Sequence, residues 1–150
     1  MSARKKLCTF RLADHWFGIE VSSVQEVLRH QPVTALRWAN DSVQGILNLR
    51  GQIVTAVDLR HELGMPARPA SLDPTNVVVR SPAGAGSAPT TVSLWVDEVG
   101  DVVEVDAAQF ERTPPTLTGV SQELIHGVYK LDDHLLLALD LARVLNAMTT

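Results

Sequence analysis

Apolar residues recur at every second position along most of this chain, in short runs separated by turn residues. Cys8, Phe10 and Leu12 alternate with Thr9 and Arg11, which predicts a half-buried strand. Ala13-Asp14-His15 makes a turn, and Phe17, Ile19 and Val21 repeat the alternation in a second strand. Val33–Trp38 reads as another. Asn76–Arg80 carries Val77-Val78-Val79, a strand buried on both faces or an edge of a barrel. Thr91–Val96 and Val102–Val105 are predicted strands around the acidic turn Asp97–Asp101. One segment reads differently: Ser23-Val24-Gln25-Glu26 has capping-box spacing. It predicts a short helix with Val24, Val27 and Leu28 on one face, Val27 and Leu28 towards the core and Val24 partly exposed, ended by Pro32.

The stretch from Gly45 to Gly64 organises the rest. Its pattern predicts a strand, a tight turn at Arg50-Gly51, a second strand and a short helix over Leu59–Leu63. Asp58 stands where the strand pattern turns helical and supplies an N-cap carboxylate; Gly64 closes the helix and Pro66 prevents its continuation. The same design returns 82 positions later, from Gly127 to Asn146, without a gap. Gly45/Gly127, Leu49/Leu131, Ala56/Ala138, Asp58/Asp140, Leu59/Leu141 and Leu63/Leu145 are identical. Turn, core and cap positions are what two copies of one small β module share. Asn48, Arg50 and Gly51 become Lys130, Asp132 and Asp133, so specific work is expected in the first copy. The second predicts a C-terminal helix from Leu141 to about Met148, capped by Asp140.

Many short strands with few helices predict a mainly β fold, two small barrels packed side by side. The Pro-containing segment 66–75 is the expected boundary between the two lobes of one domain, with the terminal segments crossing between lobes to leave no open edge. Residues 81–90 read as a hairpin loop, and 111–119 as a second irregular linker.

Composition narrows the function. The chain has 150 residues, 45% hydrophobic and 20% charged, with a formal net charge of −4. That balance argues against a broad nucleic-acid footprint, as do the single Tyr and the lack of basic and aromatic interleaving. No segment approaches the apolar length of a membrane-spanning helix, and Arg4-Lys5-Lys6 is not followed by a signal-peptide core. The lone Cys8 has no partner for a disulfide, which fits a reducing cytosol.

Catalytic and metal signatures are weak. The five histidines show no ligand spacing, and no Gly-x-Ser-x-Gly elbow is present. Neighbours along a strand point to opposite faces, so Asp97 and Glu98 do not converge on one substrate. A hydrolase using His61 or His126 with an acidic partner is a remote alternative. Arg50 stands out. A turn holds it by its backbone, and its planar fork suits either an internal ion pair with Glu26 or Asp58 or a polar group on another protein. Asn48, two residues earlier, is either a turn-stabilising amide or a direct contact.

Phe17-Gly-Ile-Glu-Val21, Val24-Gln-Glu-Val27, Gly45-Ile-Leu-Asn-Leu-Arg-Gly51 and Ile53-Val-Thr-Ala-Val-Asp-Leu59 together resemble the CheW family of chemotaxis coupling proteins. Val96–Val105 and Gly127–Leu141 extend the resemblance over nearly the whole chain. It implies two SH3-like five-stranded barrels, no catalysis and no cofactor. The implied partners are the regulatory domain of a CheA-type histidine kinase and the cytoplasmic hairpin tip of chemoreceptors. Arg50, Asn48 and Gly51 would then lie at receptor recognition with Glu26 and Val24 beside them, and Val27 and Leu28 nearer the kinase contact. An adaptor of a pilus or biofilm system is the alternative within the family. Thr55 stands where the family often has proline, and Trp38-Ala-Asn replaces a frequent proline-rich approach, so Trp38 could add a surface. No receiver domain is present, and Asp97 and Asp101 are not read as phosphorylation sites.

Overall fold

The computed structural model describes residues 4–35, 41–81 and 90–147. Eleven strands and two short helices follow in order: β1 (Arg4–Leu12), β2 (His15–Glu20), β3 (Val24–Leu28), β4 (Val43–Leu49), β5 (Gln52–Asp58), α1 (Leu59–Glu62), β6 (Thr75–Ser81), β7 (Thr90–Val96), β8 (Glu98–Asp106), β9 (Phe110–Glu111), β10 (Ile125–Lys130), β11 (Leu135–Leu139) and α2 (Leu141–Ala147). They form two sheets, a six-stranded one in the order β8-β1-β2-β11-β10-β9 and a five-stranded one in the order β3-β6-β7-β5-β4. The first two strands therefore share a sheet with the last four. Residues 66–75, expected between lobes, join α1 to β6 and so lie between two parts of the same lobe. Trp38 and the loop at 82–89 lie outside the described residues.

Each sheet buries both faces, which is why its strands carry apolar residues at consecutive positions. One face of each meets the other in a shared core: Cys8, Phe10, Leu12, Phe17, Val128, Leu137 and Leu139 from the first sheet, Val57, Val77, Val79, Val92, Leu94 and Val96 from the second. Phe10 and Phe17 stack there with ring centroids 5.8 Å apart. The opposite face of the six-stranded sheet gathers Leu7, Val105, Tyr129, Leu136 and Ala138, and that of the five-stranded sheet Leu47, Val54 and Ala56.

The repeat is visible in the hydrogen bonding. Register shifts interrupt β4–β5 between Val43 and Gly45, and β10–β11 between Ile125 and Gly127, at corresponding positions. Asp58 N–H donates to the Ser42 carbonyl at 2.8 Å, and Asp140 N–H to the Leu124 carbonyl at 2.9 Å, again equivalent pairs. The Asp58 side chain accepts from Arg60 N and that of Asp140 from Arg143 N, as expected of the two caps. The pairings of β5 with β7 and of β11 with β2 are both parallel. The two lobes thus share one strand arrangement in circularly permuted chain order, with β1 and β2 filling in the first sheet the places that β6 and β7 fill in the second.

One predicted element is corrected. Val24–Leu28 is strand β3, antiparallel to β6, not a helix. Ser23 is the last residue of a short 3-10 turn, Val21–Ser23, and not the N-cap of a helix. Val24, Glu26 and Leu28 alternate regularly with exposed Gln25 and Val27, and it is the outward-facing but apolar Val27 that makes the spacing mimic a helical stripe. Val24 is partly exposed, as expected, while packing against the shared core, and Leu28 is half-buried, but Val27 is 43% exposed instead of facing the core. Of the segment predicted as a strand over Val33–Trp38, the described residues contribute a single bridge, Thr34 with Ile46.

Candidate functional site

The β4–β5 hairpin turns on two residues, Arg50 at φ 51° and Gly51 at φ 84°. Left-handed backbone at both central positions matches the twist of the flanking strands. Arg50 adopts it without being glycine because the Asn48 side-chain oxygen accepts from Gly51 N at 2.9 Å and pins the turn. Both readings of Asn48 and Arg50 as internal partners therefore have structural content: Asn48 stabilises the turn, and Arg50 pairs with Glu26.

That ion pair joins the two edge strands of the five-stranded sheet, since Glu26 is on β3 and Arg50 follows β4. Thr34, in the connection between β3 and β4, exchanges two backbone hydrogen bonds of 2.8 and 2.9 Å with Ile46 on the β4 edge. The pair is lopsided. Glu26 is only 17% exposed at its side chain, whereas Arg50 is 74% exposed. Glu26 Oε2 takes the guanidinium, while Oε1 is buried with no hydrogen-bond partner among the described residues. The carboxylate thus orients the fork from below and leaves most of its donors facing solvent.

The residues singled out in the sequence separate accordingly. Glu26, Asn48, Arg50 and Gly51 come together at one end of the lobe. Val24 turns inward, Leu28 is half-buried and Val27 is exposed on the same strand. Ile53 was missed. It pairs across the hairpin with Asn48 and, at 61%, is the most exposed large apolar side chain among the described residues. The signal was its place within a strand pattern read as wholly core-facing.

His61 Nδ1 lies 2.9 Å from the Ser42 hydroxyl, and His126 packs against Phe110 with centroids 5.5 Å apart. Neither has a carboxylate partner among the described residues, where no group of three or more potential metal ligands occurs either. No helix among those residues is long and apolar enough to cross a membrane.

The family model for the CheW-like domain matches residues 6–148. The chain belongs to the CheW-like family. It is 29% identical over 138 residues to the chemotaxis protein CheW of Klebsiella aerogenes, covering 92% of this chain and 80% of that one. The chemotaxis protein CheW of Treponema pallidum is 25% identical over 142 residues, covering 95% and 82%. The crystal structure of the scaffolding protein TtCheW from Thermoanaerobacter tengcongensis superposes with a TM-score of 0.77 at 28% identity, covering 91% of this chain and 89% of that one. This CheW-like chain is a non-catalytic coupling adaptor of chemotaxis, whose role is contact with kinase and receptors in general. The comparisons do not favour the pilus or biofilm alternative, and the hydrolase reading falls with the family's adaptor role.

Proposed function

We propose that this chain works in the cytoplasm and links a CheA-type kinase regulatory domain to the hairpin tips of chemoreceptors, with the Arg50 hairpin as its receptor contact. The observation that carries the reading is the lopsided ion pair: a guanidinium fixed in direction by Glu26 yet three-quarters exposed. Asn48 and Gly51 hold the turn that presents it, and Val24 contributes from beneath, where it anchors β3 to the core. The kinase takes the β3 surface at Val27 and Leu28. A charged donor with a fixed approach recognises a carboxylate or carbonyl on the receptor and selects its orientation as well as its charge. Control of the kinase follows only if the bound geometry differs between signalling states.

The test is Arg50→Ala, assayed by co-sedimentation with receptor-bearing membranes and, separately, with the kinase. A hydrogen bond to a charged group is worth about 1.5–3 kcal/mol, so receptor affinity should fall by about 10- to 100-fold with kinase binding kept. A folded Arg50→Ala protein that sediments normally with receptors would refute the assignment.

A further inference from the structure

The most enclosed charges among the described residues lie away from the Arg50 hairpin, at the point where the chain passes from one sheet to the other. Asp97 is the single residue between β7 of the five-stranded sheet and β8 of the six-stranded one. Its side chain is 2% exposed, and both oxygens are engaged. From the five-stranded lobe, Arg60 on α1 donates Nε to Oδ1 at 3.0 Å and its Nη2 to Oδ2; Arg68, in the segment after α1, donates Nε to Oδ1 at 3.1 Å. From the six-stranded lobe, Ala13 N in the β1–β2 turn donates to Oδ2 at 2.8 Å, while Asp97 N donates to the Arg11 carbonyl at 3.0 Å. Ala13 sits at φ 53°, a backbone position costly for a residue with a Cβ, and the Asp97 carboxylate supports it. Arg60 also donates to the Pro66 and Ala67 carbonyls, and Arg68 reaches Asp58 at 3.5 Å.

The arrangement therefore ties three other pieces of chain, drawn from both lobes, to one carboxylate. A hydrophobic contact between sheets favours burial without fixing direction, and well-patterned cores lose uniqueness before stability. Buried charges behave in the opposite way. Their attraction is largely offset by desolvation, but any geometry that separates them leaves an unpaired charge out of water. The shared apolar core holds the sheets together; the Asp97 cluster can select the angle at which they meet.

We propose that Asp97 is a positioning residue that sets the angle between the two lobes of this adaptor, and with it the spacing between surfaces on opposite lobes. Its use to a coupling protein rests on the reading above, in which separate partners take separate faces. A scaffold that yielded at its centre would absorb a displacement instead of passing it on.

The test needs no partner, so its result is independent of the receptor and kinase assignments. In a Cys8→Ala background, spin labels at Asp41→Cys in the five-stranded lobe and Lys130→Cys in the six-stranded lobe report the interlobe distance by pulsed electron resonance. The otherwise unaltered protein should give one narrow distribution. Asp97→Asn should broaden or shift it while circular dichroism stays native. Leu136→Ala, which weakens the six-stranded lobe's own small core, should lower stability and leave the distribution unchanged. If Asp97→Asn does not fold, Arg68→Gln, which keeps the Arg60 contact, takes its place under the same criterion. A folded variant of the cluster with an unaltered distribution, or equal broadening by Leu136→Ala, would overturn the proposal.

Discussion

Gly45 offers the sharpest energetic test of how the five-stranded lobe closes. A Cβ placed there would lie 2.3 Å from the Thr34 carbonyl oxygen and 2.8 Å from its carbon, both backbone atoms that cannot rotate away. Relief requires Thr34 to retreat by roughly 1 Å, since non-bonded contacts have their optimum at about 3.5–4.0 Å. That breaks the two hydrogen bonds of the Thr34–Ile46 bridge, each worth about 0.5–1.5 kcal/mol net. Gly45 also holds φ +152°, a conformation whose occupation by a side chain costs about 1–3 kcal/mol. Gly45→Ala should therefore lose about 2–6 kcal/mol, a large part of the roughly 5–15 kcal/mol that keeps a domain folded. Gly51→Ala is the control. It too has positive φ, +84°, but nothing lies within 4 Å of its added Cβ, so strain of about 1–2 kcal/mol is the whole effect. Urea unfolding followed by tryptophan fluorescence, at unchanged slope, gives both values. A Gly45→Ala protein no less stable than Gly51→Ala would refute the argument that backbone crowding against Thr34 is what this position resists.

Two further outcomes follow from the same geometry. Val27→Asp should leave the thermal midpoint within a few degrees of the parent, because Val27 is exposed, while weakening kinase binding in a pull-down; loss of folding would show that β3 is more enclosed than described. Burial works to raise the Asp97 pKa, but the hydrogen bonds from Arg60, Ala13 and Arg68 and the Arg60 charge outweigh it and hold the carboxyl below its usual 3.8. A lowered folded pKa means that its contribution is complete above 3.8 and is lost as pH falls through the folded value. Acid unfolding of the parent should thus steepen below that pH relative to Asp97→Asn, and parallel stability curves would contradict it.

Local chemistry made much of the scaffold legible in the sequence. The two caps, the Arg50-Gly51 turn and the repeat at Gly45 and Gly127 depend on residues close together in the chain, and each is found with its expected geometry. β3 reads as helical because Val27, apolar yet exposed, completes a three- and four-residue spacing with Val24 and Leu28, and because pairing with β6 overrides a local capping pattern. The Asp97 cluster gave no signal at all: its partners Ala13, Arg60 and Arg68 are distant in sequence and ordinary in composition. The Glu26–Arg50 pair was among the options read from residue type, but only the meeting of two sheet edges selects it over Asp58.

The interleaving of the two lobes has a consequence for how the protein is made. Residues 24–96 include every strand of the five-stranded sheet, so that lobe can begin to assemble while synthesis continues. The β1–β2 hairpin waits longer, because Phe17 pairs with Leu137, far downstream. Until β11 emerges, Val57, Val77, Val79, Val92 and Leu94 lack part of the apolar face that finally covers them. The growing chain thus carries a sticky half-core through much of its translation, and slow, long-range closure is the step at which chaperones have most to protect.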